Sequence, residues 1–433
     1  MNVAKVAIIG FGTIGSGVAR LLSEYGERIA SRAGKKLELV HVVDPDLKRP
    51  RNFALPPGVL TADLADVTDD PEIVAAVELV GGLEPARTIV LKLLESGKSV
   101  VTANKALLAE HGPELFEKAR EMGQSIAFEA AVAGGIPVVA AITECLTANQ
   151  LESIHAILNG TSNFILSQME ENNTDYASAL AEAQQCGYAE ANPSMDINGS
   201  DAAQKLAILA HLAFGARANW NEIPRTGIDV VDVTDMRYAK ELGYSVKLLA
   251  VAERVPEGLE LHVSPTLVRH ETPLAEVRGA YNAIRVVGDA VGRVFFHGLG
   301  AGQMPTASAV VADLIDTVIG RRAVTFNTLN LWPADGEAPV KIRDPSEVPG
   351  RFYLRFNVDD RPGVMSEITG VLGRHNISIA SVIQHETEED ASNVVPLVIM
   401  THTSPEGKMA AAMKAISHSA SVHPGSVRMR VRD

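Results

Sequence analysis

The apolar residues of the first 130 positions fall into two alternating patterns. Short continuous runs read as strands: Lys5 to Ile9, Leu37 to Val43, Val77 to Val80, Ser99 to Thr102 and Ser125 to Phe128. Between them, apolar residues return at helical spacing, through Val18, Leu21 and Leu22, then over about Pro85 to Ser96 and about Gly112 to Met122. Strand and helix in turn predict an α/β fold with a parallel sheet. Farther on, the strand Ile154 to Leu158 precedes a helix carrying Phe164, Ile165 and Leu166. Another helix starts near Gly199–Ser200 and continues apolar through Leu206, Ile208, Leu209 and Leu212. A long helix follows Pro305-Thr306 and runs to Ile319.

After Trp332 the composition shifts. Residues Pro333 to Gly350 are rich in Pro, Asp, Glu and Gly and read as a linker. Arg351 to Val358 then alternates as a strand, Asp360-Arg361-Pro362-Gly363-Val364 turns, and a helix reaches about Arg374. A strand beginning at Asn376 to Ile379, another over Asn393 to Met400, a helix from about Glu406 and a last strand near Val427 to Val431 complete a βαββαβ order. His385 to Asp390 (HETEED) offers metal-type side chains but reads more simply as a solvated hairpin loop.

A chain of 433 residues exceeds what one core organises, so several domains are expected. The net charge of −14 argues against nucleic acid or an anionic membrane surface as the main partner, which leaves small molecules. There is no signal-peptide pattern and no apolar run of bilayer length, so a cytoplasmic location is the expectation. Cys145 and Cys186 give neither a disulfide framework nor metal-ligand spacing.

Three places carry chemistry. Gly10-Phe11-Gly12-Thr13-Ile14-Gly15 joins the first strand to its helix, and the second strand ends in Asp44. Glycine serves a tight turn, close approach to a pyrophosphate and helix–strand packing, while an acid at that strand end suits an adenosine ribose. The plainer alternative is a glycine turn in an unrelated α/β fold. Lys105 and Glu129 follow strand ends, where such sheets present their ligand crevice, though Lys105 equally suits a turn cap. Finally, the loop Gly187 to Asn198 carries Glu190, Asn192 and Asp196, and the next helix carries Asp201 and Lys205 one turn apart. That spacing describes a surface ion pair as readily as an aimed proton donor.

Taken together, GFGTIGSGV, VELVGGLEPA, GKSVVTANKALLAEHG, FEAAVAGGIPVV, ILNGTSNFIL, GYAEANPSMDINGSDAAQKLAILA and GLGAGQMPTASAVVADL resemble the homoserine dehydrogenase family, in order and over most of residues 5–320. The DRPGV turn with the later NISI resembles an ACT domain. The resemblance implies an enzyme interconverting L-aspartate 4-semialdehyde and L-homoserine with NAD or NADP. It also implies a Rossmann domain over 1–130 and an α+β substrate and dimerisation domain with a mixed sheet over 131–332, whose residues 300–330 return to the nucleotide domain. The linker spans 333–350 and a ferredoxin-like ACT domain 351–433.

Reducing an aldehyde leaves an alkoxide, which needs a cation or proton donor. The family pattern gives that task to Lys205 and Lys105, with Asp201 polarising the site. It assigns the substrate to Glu190, Asp196, Lys105, Asn159 and Thr161, although Thr161 or Ser162 also suits a helix N-cap. The cofactor set is Gly10, Gly12, Thr13, Ile14, Gly15, Asp44, Gly81, Asn104, Lys105 and Gly302. Glu129 with the main-chain oxygens of Val132, Gly134 and Ile136 resembles a loop for sodium or potassium, and oxygen ligation suits such hard ions. A glycine-permitted loop leading into the dimerisation helix explains the same residues. The ACT resemblance implies threonine as effector, with Asn357, Asp360 and Gly363 as contacts, or else a module that serves only oligomerisation. A homo-oligomer, at least a dimer, is expected.

Two positions depart from the family pattern. Asn192 stands where an aspartate is usual, keeping the shape but losing the charge. Asp44 is followed by Pro45 rather than arginine, which favours NAD, while Lys48 and Arg49 stand near enough to meet a 2′-phosphate. Other classes fit less well. A non-catalytic nucleotide- and amino-acid-sensing protein has no reason to keep Lys105, Asp201 and Lys205 together. A phosphorylating aldehyde dehydrogenase needs an activated thiolate, and a zinc alcohol dehydrogenase needs clustered Cys and His ligands.

Overall fold

A computed structural model describes residues 2–51, 53–333, 340–385 and 393–433. The chain forms two compact units from separated stretches. One comprises Met1–Glu152, Gln204–Glu222 and Val286–Val340; the other comprises Ser153–Ala203, Ile223–Arg285 and Lys341–Asp433. Among the described residues no helix is long and apolar enough to cross a membrane.

The first unit holds β1 (Val3–Ile9), β2 (Lys36–Val43), β3 (Leu60–Thr61), β4 (Ile73–Glu78), β5 (Ser99–Thr102) and β6 (Ile126–Ala127). They lie in the order β3-β2-β1-β4-β5-β6, with every neighbouring pair parallel. This is the doubly wound order, and its switch point falls where the chain leaves β1. Val6 to Ile9 are buried without alternation, as a strand covered on both faces requires. The helix Gln303–Val318 completes this core with Val310 and Leu314. It packs on the helix Thr13–Glu24, where a Cβ on Gly17 would sit 2.9 Å from Gln303 Cγ. The helix expected from Gly112 instead opens at Lys105, because the Asn104 side chain caps it by accepting the Leu107 N–H at 3.1 Å.

In the second unit β7 (Leu151–Ile157), β8 (Tyr244–Val255) and β9 (Gly258–Arg269) run antiparallel. The chain next forms β10 (Tyr281–Gly288) and β11 (Gly292–Leu299), the latter in the first unit, and the second unit then adds β12 (Pro349–Asp359), β13 (Ile379–Ile383), β14 (Val394–Thr401), β15 (Ser404–Pro405) and β16 (Val422–Arg432). Helices Val364–Arg374 and Glu406–Ile416 give the C-terminal βαββαβ order. β16 pairs antiparallel with β12 and parallel with β9, so a mixed sheet runs β7-β8-β9-β16-β12-β14-β13. Phe352, Leu354, Phe356 and Val358 alternate along β12 onto one face and meet Ile368, Leu372, Met409 and Ile416 of the two helices.

The stretch expected as a linker differs from a free tether. Residues 334–339 lie outside the described residues, but the backbone beyond them pairs with β9. Leu259 N–H donates to the Lys341 carbonyl at 2.9 Å, and Arg343 N–H donates to the Leu259 carbonyl at 3.0 Å. Arg343 Nη1 also lies 2.7 Å from Glu260 Oε1. A polar composition tolerates water, but here the chain meets a strand edge with unspent hydrogen bonds and fills it. Of the HETEED segment only His385 is described, 2.9 Å from Glu241 Oε2 and stacked on Tyr238; residues 386–390 lie outside the described residues.

Candidate active site

In the first unit the glycine loop has the geometry a dinucleotide needs. Gly10 takes φ +100° and donates its N–H to the Val43 carbonyl at 2.8 Å, and a Cβ on Gly15 would lie 2.1 Å from the Gly10 carbonyl oxygen. A Cβ on Gly12 would meet nothing within 4 Å, so the loop is open where a pyrophosphate must approach. The helix Thr13–Glu24 starts there without a side-chain cap, leaving its first-turn amides for an anion. These features fit the pyrophosphate of a dinucleotide.

Asp44 accepts the N–H of Phe11 and of Asp46, each at 2.9 Å. Its ion-pair partner is Arg51, with Nη2 3.0 Å from Asp44 Oδ1 and the guanidinium 5.2 Å from the centre of the Phe11 ring. Lys48 and Arg49 instead donate their backbone N–H groups to Asp46 at 3.1 and 3.0 Å. Arg51 was not legible as a site residue, since nothing in its local spacing marks it.

A second residue absent from the sequence reading organises the next strand ends. Glu78 is fully buried, accepts the N–H groups of Val80 and Gly81 at 2.8 and 3.2 Å, and accepts the Thr102 hydroxyl at 2.7 Å. Asn104 adds a bond from Nδ2 to the Gly82 carbonyl at 2.7 Å. Gly81 and Asn104 are thus held by one network, and Lys105, partly buried, opens the following helix.

Glu129 is buried in the same unit. Its two carboxylate oxygens accept the N–H groups of Val139 and Ala140 at 2.8 and 2.7 Å, and burial pushes its carboxyl up to about 7. Its own N–H donates to Asp313 at 2.6 Å, and Asp313 pairs with Arg322. In the candidate cation loop the Ile136 carbonyl accepts the Val138 N–H at 2.8 Å. Gly134 takes φ +46°, and a Cβ there would fall 2.4 Å from the Gly300 carbonyl oxygen. Gly302, at φ +120°, stands at the N-cap of Gln303–Val318.

In the second unit Asn159 is the centre of the acidic group. Its side-chain NH2 donates to Asp196 Oδ1 at 2.7 Å and to Asp201 Oδ2 at 2.9 Å. Its amide oxygen accepts the Ser162 N–H at 2.7 Å, so Asn159 caps the helix Gly160–Asn172, rather than the expected Thr161 or Ser162. Their hydroxyls are spent elsewhere: Thr161 donates to the Tyr188 carbonyl at 2.7 Å and Ser162 to the Asp196 carbonyl at 2.9 Å. Both bonds pin the loop 187–198 to that helix. Glu190 stands exposed on the loop outside this network, as does Asn192, whose side chain accepts the Ser194 N–H at 3.3 Å. Asp201 lies in the first turn of the helix Ser200–Phe214, and Lys205 follows one turn later.

Three family models cover the chain. "Homoserine dehydrogenase, NAD binding domain" matches residues 10–129, "Homoserine dehydrogenase" matches 137–315, and "ACT domain" matches 352–418. A homoserine dehydrogenase of Pseudomonas aeruginosa is 44% identical over 100% of this chain and 99% of its own length. The chain belongs to the homoserine dehydrogenase family. It is accordingly an oxidoreductase with a nucleotide-binding domain and a C-terminal ACT domain. The crystal structure of a homoserine dehydrogenase from Thiobacillus denitrificans superposes with a TM-score of 0.92 at 42% identity, covering 100% of this chain and 99% of that one. A hyperthermophilic archaeal homoserine dehydrogenase in complex with NADPH shares 27% identity and a TM-score of 0.60, covering 73% of this chain and 98% of that one.

The ACT turn forms a depression of about 400 Å³ lined by Asp360 and Gly363, among others. Asn357 is not part of that lining. Its Nδ2 donates to the Pro424 carbonyl and its Oδ1 accepts from Arg355, each at 3.0 Å. The two cysteines are free and exposed.

Proposed function

We propose that this chain reversibly reduces L-aspartate 4-semialdehyde to L-homoserine with NADPH or NADH, in the branch leading to threonine, methionine and isoleucine. The observation that carries the residue assignment is the Asn159 amide holding Asp196 and Asp201 together. Two carboxylates fixed by one neutral donor create a site suited to ammonium groups. Asp196 with Glu190 takes the substrate's α-ammonium, and Asn159 and Thr161 set the wall they stand on. Asp201 orients Lys205, which gives a proton to the aldehyde oxygen as the carbon is reduced. Lys105 adds the second positive charge there. The nicotinamide supplies the hydride, so aldehyde, hydride and one proton give the alcohol.

The glycine loop, Gly81, Asn104 and Gly302 hold the dinucleotide. Arg51 neutralises Asp44, so the second strand end accepts a 2′-phosphate as well as a free ribose. This fits the archaeal relative solved with NADPH. The carbonyls of Val132, Gly134 and Ile136 form, with Glu129, an oxygen-only donor set suited to sodium or potassium, and a cation bound there would favour the charged form of Glu129, whose carboxyl is pushed up to about 7 by burial. Threonine is the effector proposed for the ACT turn at Asp360 and Gly363, and the working form is a homo-oligomer.

The test follows reduced-nicotinamide absorbance with homoserine and each oxidised coenzyme, with and without threonine, in sodium, potassium and choline buffers. Turnover with both coenzymes, inhibition by threonine and stimulation by one alkali cation are the expected results. Lys205→Ala should lower kcat by roughly 100-fold or more while coenzyme affinity holds. A near-normal kcat in that variant removes Lys205 from its role.

A further inference from the structure

The parallel pairing of β16 with β9 lasts only from Arg430↔Thr266 to Arg432↔Val268. Ahead of it the strands part, and Arg225 bridges to Val263 in place of β16. A cavity of about 240 Å³ opens in the gap, lined by Arg225, His262, Phe352, Glu406, Arg428 and Arg430 among others. That is roughly eight water volumes, enough for a small organic acid. None of the ACT-turn residues 357–365 lines it.

Charge in this cavity is unbalanced. Arg428 Nη1 and Arg430 Nη2 lie 2.5 and 2.6 Å from the two oxygens of one carboxylate, Glu406. Nearby, Arg343 meets Glu260 and, at 3.9 Å, Glu257, while Arg432 shares Glu253 with His155. The Arg428 and Arg430 guanidiniums stand over the Phe352 ring at 5.9 and 5.5 Å, and the Arg430 side chain is only 11% exposed. Arg428 is 30% exposed, but at Arg430 a largely buried cation that must share its carboxylate favours a further anion.

His262 adds a second, independent sign. It is 4% exposed, and its Nδ1 lies 3.2 Å from the Ser264 hydroxyl, while Nε2 is buried with no hydrogen-bond partner among the described residues. Burial next to Arg430 and Arg432 holds the ring well below its ordinary pKa and so neutral. A hydroxyl proton given by Ser264 to Nδ1 leaves the ring proton on Nε2, a donor with nothing to receive it. Such a group is expensive unless a ligand completes it.

We propose that the cavity between β9 and β16 is a binding site for a small oxyanion, a carboxylate or a phosphate, held by Arg225, Arg428, Arg430 and the His262 ring, with Phe352 as its apolar floor. Charge-assisted bonds from guanidinium groups are the strong class for such ligands. The site stands apart from the ACT turn, so an anion there would not compete with an effector at Asp360.

Calorimetric titration of the full chain, with coenzyme saturating, uses succinate and inorganic phosphate as separate probes. Binding of at least one is expected, and the arm that responds identifies carboxylate or phosphate as the source. His262→Phe and Arg225→Gln should each weaken it at least tenfold, while Lys205→Ala leaves it intact. His262→Phe removes an unsatisfied polar group and should keep or raise Tm, so loss of binding there is not loss of fold. Absence of binding by both probes at millimolar concentration, equal binding in both cavity variants, or loss in Lys205→Ala overturns the proposal.

Discussion

Arg355, in the middle of β12, holds Asp235 with a two-pronged contact: Nε lies 2.7 Å from Oδ1 and Nη2 lies 3.0 Å from Oδ2. Asp235 is fully buried, and the Tyr353 hydroxyl donates to its Oδ1 at 3.0 Å. Asp235 also accepts the Asp232 N–H at 3.0 Å in a capping box that starts the helix Val233–Glu241. The face of β12 opposite the ACT core is thereby clamped to a helix from a different stretch of the same unit.

Removing Arg355 leaves the Asp235 carboxylate buried without its cation, whereas Arg355 also meets Asp232. Arg355→Ala should therefore cost about 3–5 kcal/mol in urea unfolding, well above a surface arginine. In Arg355→Met with Asp235→Leu the loss should be smaller than the sum of the single changes, because no buried charge is left unpaired; Asp232, the other partner of Arg355, is half exposed and stays solvated. Additive costs would show that the pair is not coupled.

Arg51 should decide coenzyme choice. With Arg51→Ala, the carboxylate of Asp44 faces a 2′-phosphate without its cation, and charged hydrogen bonds of about 1.5–3 kcal/mol are lost. kcat/KM with NADPH is expected to fall by roughly 10- to 100-fold, with little change for NADH. An equal fall with both coenzymes would leave Arg51 only a loop-ordering role.

The sequence made five of the six strands of the doubly wound sheet legible, because they are short apolar runs and the glycine loop sits between β1 and a helix; β3, two half-buried residues, has no such run, and β4 lies at Ile73–Glu78 rather than Val77 to Val80. The C-terminal βαββαβ order was legible for the same reason, with Phe352, Leu354, Phe356 and Val358 alternating cleanly. Asn104 and Asn159 were legible as site residues only through family resemblance, and their capping roles come from geometry. Arg51, Glu78, His262 and the Arg355–Asp235 pair were not legible at all. Each owes its environment to residues brought together by tertiary folding, and a single charge or ring in a chain announces no partner. The strap at 341–343 misled for a related reason: its composition suits water, while its backbone found β9.

Asn159 should matter beyond its cap. Asn159→Ala removes the bonds that Asn159 makes to Asp196 and Asp201, and the two carboxylates lose that shared donor. At about 1.5–3 kcal/mol per charged hydrogen bond, kcat/KM for homoserine is expected to drop by roughly 100-fold or more. Coenzyme affinity, measured by fluorescence of bound NADPH, should hold. A variant with unchanged kcat/KM would separate these acids from the reaction.

His211 should make the first unit sensitive to mild acid. Its ring stacks on Trp332 with centroids 4.3 Å apart, and its Nε2 accepts the backbone N–H of Trp332 at 2.9 Å, with Nδ1 3.3 Å from the Ala216 carbonyl. That arrangement places the single proton on Nδ1 and leaves no room for a second on Nε2. Burial, with Arg217 adding to it, holds the group down to about 4. The unfolded chain takes up a proton near pH 6.5, whereas the folded chain resists until about 4. The contribution is therefore present above pH 6.5 and lost as pH falls through this window, at up to about 1.4 kcal/mol per pH unit. Unfolding free energies of the native chain and of His211→Phe, compared from pH 7 to pH 4, should show a shallower fall in the variant by up to one proton. Parallel curves would mean that His211 is protonated equally in both states, and the Trp332 N–H would then need another acceptor.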